Sequence, residues 1–217
     1  MVVSSATKIS FACKRVIISV PNPLLKRIEY TPDLPAEKLA VASGTHLGFT
    51  SKMILIYDSP WWRDYDLSGV LNSPIGPLAF TRDSSVDVDE QYSLTCFLVG
   101  DPGRAWAKIL TAVERKIKFL EHAQALFTPA LPEGMQVPMP EKVIEQIWTE
   151  EEWIWGCPCP VTALGKLVEG KGAAKIRREA FGRLHFIGTE TSVEYQGYME
   201  GAVASGERGA KEVIALF

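Results

Sequence analysis

The sequence predicts a mixed α/β protein, and three observations carry that expectation. Short β-branched or aromatic runs stopped by proline or glycine recur through the first hundred residues, as in RVIISV at 15–20 and MILIY at 53–57. An amphipathic stretch with helical spacing follows at residues 102–127. The chain then closes on a strand, a tight turn and a helix within residues 182–214. Strands, then helix, then strand–turn–helix points to one larger twisted sheet and a separate edge unit. A chain of 217 residues can bury a proper core as one large domain or two small ones.

Residues 1–22 read as a β-hairpin. VVSSATKISF alternates polar and apolar side chains, and KRVIISVPN has the near-continuous apolar character of a strand covered on both faces, stopped at Pro21. Residues 24–28 read as a short helix or turn, and 34–43 as a helix entered at Pro35. GFTSKMILIY at 48–57 is a strong strand with Lys52 in its middle. Strands are expected near 69–73 and 76–81, a polar loop at 83–90 and an apolar strand at 92–100. Trp106, Ile109, Leu110, Val113, Ile117 and Leu120 then recur at three and four residues, so 102–127 is expected to be helical. A proline-rich link at 128–140 leads to a helix or strand ending near Trp148. The segment WTEEEWIWGCPCP, a glycine- and lysine-rich piece and the terminal motif complete the chain, with no internal repeat.

Composition removes several function classes. With 47 % apolar and 23 % charged residues the chain is an ordinary globular protein. A net charge of −3 without a basic block excludes nucleic acid as an expected partner. No apolar run approaches a membrane span, and MVVSSATKIS lacks a signal-peptide core. Cys13, Cys96, Cys157 and Cys159 do not form a disulfide framework, so an intracellular, cytoplasmic setting is expected. His46, His122 and His185 are far apart and Cys157-Pro158-Cys159 is too tight for a zinc knuckle, so no metal site is expected.

The terminal segment GRLHFIGTETSVEYQGYMEGAVASGERGAKEVI carries the most information. A helix start bears unpaired N–H groups and about half a positive charge, which suits phosphate or another electron-rich group when no side chain blocks the approach. Gly197 and Gly201 would keep that approach open, and the small residues from Gly201 to Ala210 would let the helix lie close to another backbone. Glu190 in the preceding turn could accept from ribityl or ribose hydroxyls or from backbone amides. A tightly packed helix with Glu190 as a cap or surface turn residue describes these residues equally well. The glycine pattern GKGAAK at 170–175 has no clean strand before it and is a weak dinucleotide fingerprint.

In wording and spacing, GTET, GYMEGA and SGERGA closely resemble the C-terminal signature of the flavin-containing amine oxidase family, which includes the monoamine oxidases. The similarity extends upstream: KRVIISVPNPLLKRIEYTPDLPAEK looks like the family's strand and loop leading to its substrate domain, and GFTSKMILIYDSPWW like the strand carrying its active-site lysine. The resemblance implies part of a Rossmann-like FAD-binding domain, residues 1–22 and 151–217, and part of a mixed-sheet substrate domain, residues 23–150. The family's G-x-G-x-x-G unit and the first half of its substrate domain would precede Met1, so the match is to the C-terminal half of an amine oxidase. Exposed strand edges would then favour self-association, or pairing with the missing half.

By that resemblance Gly188, Thr189 and Glu190 line the ribityl and pyrophosphate region of FAD. Tyr198, Met199 and Ala202 sit at the pyrimidine end of its ring. Lys52 holds a water against the flavin, which its place in the middle of an apolar strand supports; an edge-strand lysine facing solvent is the alternative. Tyr198 forms one wall of the cage that guides the amine. Pro158 stands where the monoamine oxidases have the other aromatic wall, a place Trp153 or Trp155 could fill. Cys157 matches the cysteine that some members link to the flavin, although non-covalent FAD and a plain buried thiol fit it too. Trp148, Trp155 and Phe97 complete the implied substrate cavity, Trp148 being equally readable as a core indole. The implied activity is oxidation of an amine to an imine, with dioxygen taken to hydrogen peroxide and no dedicated general base. A non-catalytic binding or interaction module is the alternative.

Overall fold

The structure is a computed structural model and describes residues 2–4, 9–109, 111–165 and 172–217. In chain order its elements are β1 (Val2–Ser4), β2 (Ser10–Ala12), β3 (Val16–Ile18), α1 (Ala36–Ser43), β4 (Thr45–Leu47) and β5 (Thr50–Tyr57). Then come β6 (Leu78–Asp83), β7 (Tyr92–Val99), α2 (Gly100–Ile109), α3 (Ala112–Phe127) and β8 (Lys142–Ile147). The last are β9 (Pro160–Thr162), α4 (Ala173–Arg178), β10 (Leu184–Phe186) and α5 (Met199–Ile214). The fold is mixed α/β. It divides into two compact units, one of Met1–Gly48 with Glu152–Phe217 and one of Phe49–Glu151. No helix among the described residues is long and apolar enough to cross a membrane.

The second unit is built on an antiparallel sheet of order β6-β7-β5-β8. Alternation along β5 buries Met53, Leu55 and Tyr57 and leaves Lys52, Ile54 and Ile56 on the less covered face. The buried row joins Trp62, Leu94, Leu98, Phe119 and Phe127 in the core, each contributing roughly 1.5–3 kcal/mol through burial. Trp62 is fully buried, and its indole N–H donates to Asp83 Oδ2 at 2.9 Å.

Two sequence expectations change here. The strand foreseen at 69–73 shrinks to one antiparallel bridge, Asn72 opposite Phe80, with the Ser73 amide donating to the Ala79 carbonyl at 2.8 Å and the Thr81 amide to the Leu71 carbonyl at 2.9 Å. Towards Gly69 the Thr81 side chain takes over, its hydroxyl donating to the Gly69 carbonyl at 2.7 Å and accepting from the Leu71 amide at 2.9 Å. The helix foreseen at 102–127 is two helices, because Thr111 caps a new one. Its hydroxyl accepts from the Glu114 amide at 3.3 Å while Glu114 accepts from the Thr111 amide at 3.0 Å. Phe119, Ala123 and Phe127 are buried, whereas Val113 and Ile117 from the apolar stripe are exposed; Leu110 lies outside the described residues.

In the first unit β1 and β2 make the hairpin, Val2 opposite Ala12. The apolar run after it does not belong to that hairpin: β3 pairs in parallel with β10, Val16 opposite Leu184. The two-stranded sheet leaves Ile17 exposed, so that strand is not covered on both faces. Leu25, Leu34 and Ala42 pack with Phe186. That contact draws residues 23–48 into this unit, whereas the sequence reading puts the junction after residue 22. Of the 170–175 glycine pattern, 170 and 171 lie outside the described residues, and Gly172, with φ 79°, is the N-cap of α4.

Candidate functional site

The terminal motif folds as a strand, a bend, a single 3-10 turn and a helix. Gly188 leaves β10 with φ 112°, a conformation that favours glycine, and Thr189–Thr191 form the turn. Side chains tie the turn to α5. Gly188 N–H donates to Ser205 Oγ at 2.9 Å, and the Thr189 hydroxyl accepts from Gly197 N–H at 2.6 Å and donates to the Tyr198 carbonyl at 3.0 Å. Tyr198 is the N-cap of α5 and makes no side-chain cap. Tyr198, Met199 and Ala202 are all exposed while Gly201 is buried, so a sixteen-residue helix starts at the surface with no side-chain cap.

The glycines of that helix have a different use from the one foreseen. A Cβ at Gly201 would strike the Tyr195 carbonyl and meet Thr189 Oγ1 at 2.9 Å, and one at Gly209 would strike the Ile187 side chain. Both are spent on seating α5 against the chain's own turn and strand. Gly197 (φ 90°) has Cys159 Sγ 3.3 Å from where its Cβ would be.

Glu190 is buried, with Oε1 accepting from the Asn22 amide at 3.1 Å. It shares a narrow crevice with buried Arg177, whose pKa burial lowers while the Glu190 charge opposes that shift. Nothing in the local spelling KIRR marks Arg177 as an interior residue, so sequence reasoning missed it. Arg27 was missed as well. Its guanidinium lies 5.1 Å from the ring centres of both Trp153 and Trp155, and donates to the Glu152 carbonyl at 2.7 Å. Lys26 Nζ is 5.9 Å from the Trp155 ring, so this indole is met by the chain's own cations. Cys157 is half-buried, its amide donating to the Gly48 carbonyl at 3.2 Å.

In the second unit, Lys52 stands on β5 with β7 on one side and β8 on the other, which excludes an edge position. It is half-buried opposite Phe97, itself half-buried and stacked on Phe80 at 4.3 Å between ring centres. Trp148 opens the 3-10 turn after β8, half-buried.

The model of the flavin containing amine oxidoreductase family matches residues 2–214, and the chain belongs to that family. It is 30 % identical over 204 residues to a probable flavin-containing monoamine oxidase A of Dictyostelium discoideum, covering 94 % of this chain and 42 % of that protein. The human flavin-containing amine oxidase B is 30 % identical over 206 residues, covering 94 % and 38 %. Among solved structures, a putrescine oxidase with redesigned cofactor binding superposes with TM-score 0.81 at 29 % identity, over 100 % of this chain and 46 % of that one. Cyclohexylamine oxidase from Brevibacterium oxydans gives 0.78 at 28 % identity, over 94 % and 43 %. The chain thus spans about two-fifths of the length of the curated relatives it matches.

The family's cofactor is a flavin, and the terminal motif fits an electron-rich group of that kind. An exposed helix start without a side-chain cap offers N–H donors, while a Cβ at Gly188 would face Glu190 and one at Gly197 would face Cys159.

Proposed function

We propose that the chain is the C-terminal portion of an FAD-dependent amine oxidase that converts a primary or secondary amine to an imine, hydrolysed to an aldehyde, with dioxygen reduced to hydrogen peroxide. The observation that carries the reading is the exposed start of α5 without a side-chain cap, tied through Thr189 to the Gly188–Thr191 turn, in a chain whose family is flavin-containing. When bound, flavin supplies the two-electron acceptor for the C–N oxidation and the electrons for dioxygen.

The chain's own residues bind and orient. Gly188 and Thr189 would hold the ribityl and phosphate region, with buried Glu190 bracing that turn from behind through the Asn22 amide, and Tyr198, Met199 and Ala202 at the pyrimidine end, where helix N–H groups meet carbonyl oxygens. Tyr198 presents an exposed ring that can guide an uncharged amine nitrogen. Lys52 is assigned to holding a water for flavin reoxidation, with Phe97 and Trp148 as apolar cavity walls. Trp155 enters as a wall only if its ring is free of Arg27 and Lys26. Cys157 is assigned to packing against a non-covalent FAD; a thioether through it would survive acid denaturation.

The exposed apolar side chains of Val2, Val3 and Ile17 on β1 and β3 favour a second reading, a non-catalytic module that binds or pairs with another polypeptide. Incubating the purified chain with FAD and adding an amine without oxygen separates the two. Bleaching of bound flavin, reversed by air, supports the oxidase; bound flavin indifferent to every amine supports the module.

A further inference from the structure

Two buried charges of the first unit stop short of each other. Arg177 is 3 % exposed, yet its Nε–H has no hydrogen-bond partner, while Nη2 is taken by Thr45 Oγ1 at 3.4 Å and by Thr162 Oγ1. Glu190 is 8 % exposed, with Oε1 engaged by the Asn22 amide, and no hydrogen bond to its Oε2 is found among the described residues. Both line one crevice, closed by Ile18, Phe186, Asn22 and Thr191.

Size decides what the crevice can hold. It leaves about 10 Å³ for the centre of a water-sized sphere. One water needs roughly 10–15 Å³ on that measure, and two to four polar partners. An organic ligand needs pockets of roughly 300 Å³ or more. A monatomic anion would have to sit beside the Glu190 carboxylate. Lys38, the other buried cation nearby, already donates to the Ile176 and Arg177 carbonyls, and so does not fill the gap.

We propose that this crevice is a binding site for a single internal water, which accepts from Arg177 Nε–H and donates to Glu190 Oε2. The Asn22 side-chain carbonyl is its further acceptor. The water turns two separated buried charges into one hydrogen-bonded ion pair and links the end of α4 to the turn that precedes α5. The site uses only this chain's residues and stands whether or not the flavin reading holds.

A high-resolution crystal structure of the full chain, with a second crystal soaked in bromide, tests it. The expected result is one solvent peak within about 3.2 Å of both Arg177 Nε and Glu190 Oε2, with no anomalous bromide signal there. A dry crevice, a bromide peak, or direct pairing of Arg177 Nε with a protein oxygen overturns the proposal. In solution, oxygen-17 relaxation dispersion should count one fewer long-lived water in Arg177→Met than in Arg178→Met; equal counts in two folded variants overturn it as well. The crystals need no variant, so a misfolded Arg177→Met leaves the test intact.

Discussion

Lys52 and Phe97 face each other across the β5–β7 ladder, the Lys52 ammonium 5.1 Å from the centre of the Phe97 ring. At a partly exposed site such a contact contributes roughly 0.5–1 kcal/mol, so Lys52 is no anchor of the sheet. Lys52→Met is expected to change the unfolding free energy by less than about 1 kcal/mol. In flavin-loaded protein it should slow reoxidation by dioxygen at least about tenfold, the scale of a lost positioned proton-handling group. Stopped-flow absorbance and urea melts measure both, and a large stability loss with unchanged reoxidation would make the residue structural.

Two glycines of α5 should respond in opposite directions. Gly206 has nothing within 4 Å of a built Cβ, so Gly206→Ala should gain about 0.5–1 kcal/mol from helix propensity alone. Gly201→Ala should instead lose about 1–3 kcal/mol, because its methyl group meets the Tyr195 carbonyl and the Thr189 hydroxyl. Denaturant midpoints of the two variants decide this, and equal gains would mean that α5 does not sit on the turn as described.

Asp83 sets an acid limit on the second unit. Burial pushes its pKa up. The Ser85 amide and hydroxyl, the Trp62 indole and the Arg63 guanidinium push harder the other way, taking it from 3.8 to about 2. A depressed carboxylate contributes stability that is full above the unfolded value and lost as pH falls through the folded one. The stability difference between wild type and Asp83→Asn should hold constant above about pH 5 and shrink between about pH 4 and 2. A difference independent of pH would show that Asp83 acts without its charge.

Lys38 gives a slope of the same sign in alkali. Burial lowers its pKa from 10.5 to about 8, with the Glu179 charge opposing. Between those values the unfolded chain binds more protons, so stability rises with pH across the window. Comparing Lys38→Met with wild type by thermal melts from about pH 7 to 10 isolates this contribution. Wild type should gain relative to the variant as pH rises, and parallel curves would place Lys38 in water.

The sequence made β5, β7, α5 and the terminal turn legible because each carries an unbroken period or a spaced small-residue motif. It did not show the break before α3, since the Thr111–Glu114 capping box lies inside a continuous apolar rhythm. Pairing of β3 with β10 was hidden too, because the two strands lie far apart in the chain and local alternation says nothing of such a partner. In the site, the positive φ of Gly188 and Gly197 was not foreseen, because the sequence reading used Gly197 and Gly201 only to clear the helix start. The burial of Arg177 beside Glu190 and the grip of Arg27 on Trp155 arise only from tertiary packing, and Arg27 removes from open solvent an indole that looked free for an amine.

Quenching of flavin fluorescence as FAD is titrated with the protein, for wild type and Met199→Glu, tests the terminal seat most directly. Met199 is 88 % exposed at the start of α5; a carboxylate there favours the helix by roughly 0.3–1 kcal/mol while repelling an electron-rich ligand. Saturable quenching by wild type, weakened several-fold in an equally or more stable Met199→Glu, is the result expected. No quenching by wild type, or identical affinity in the two proteins, would contradict a flavin seat at this helix start.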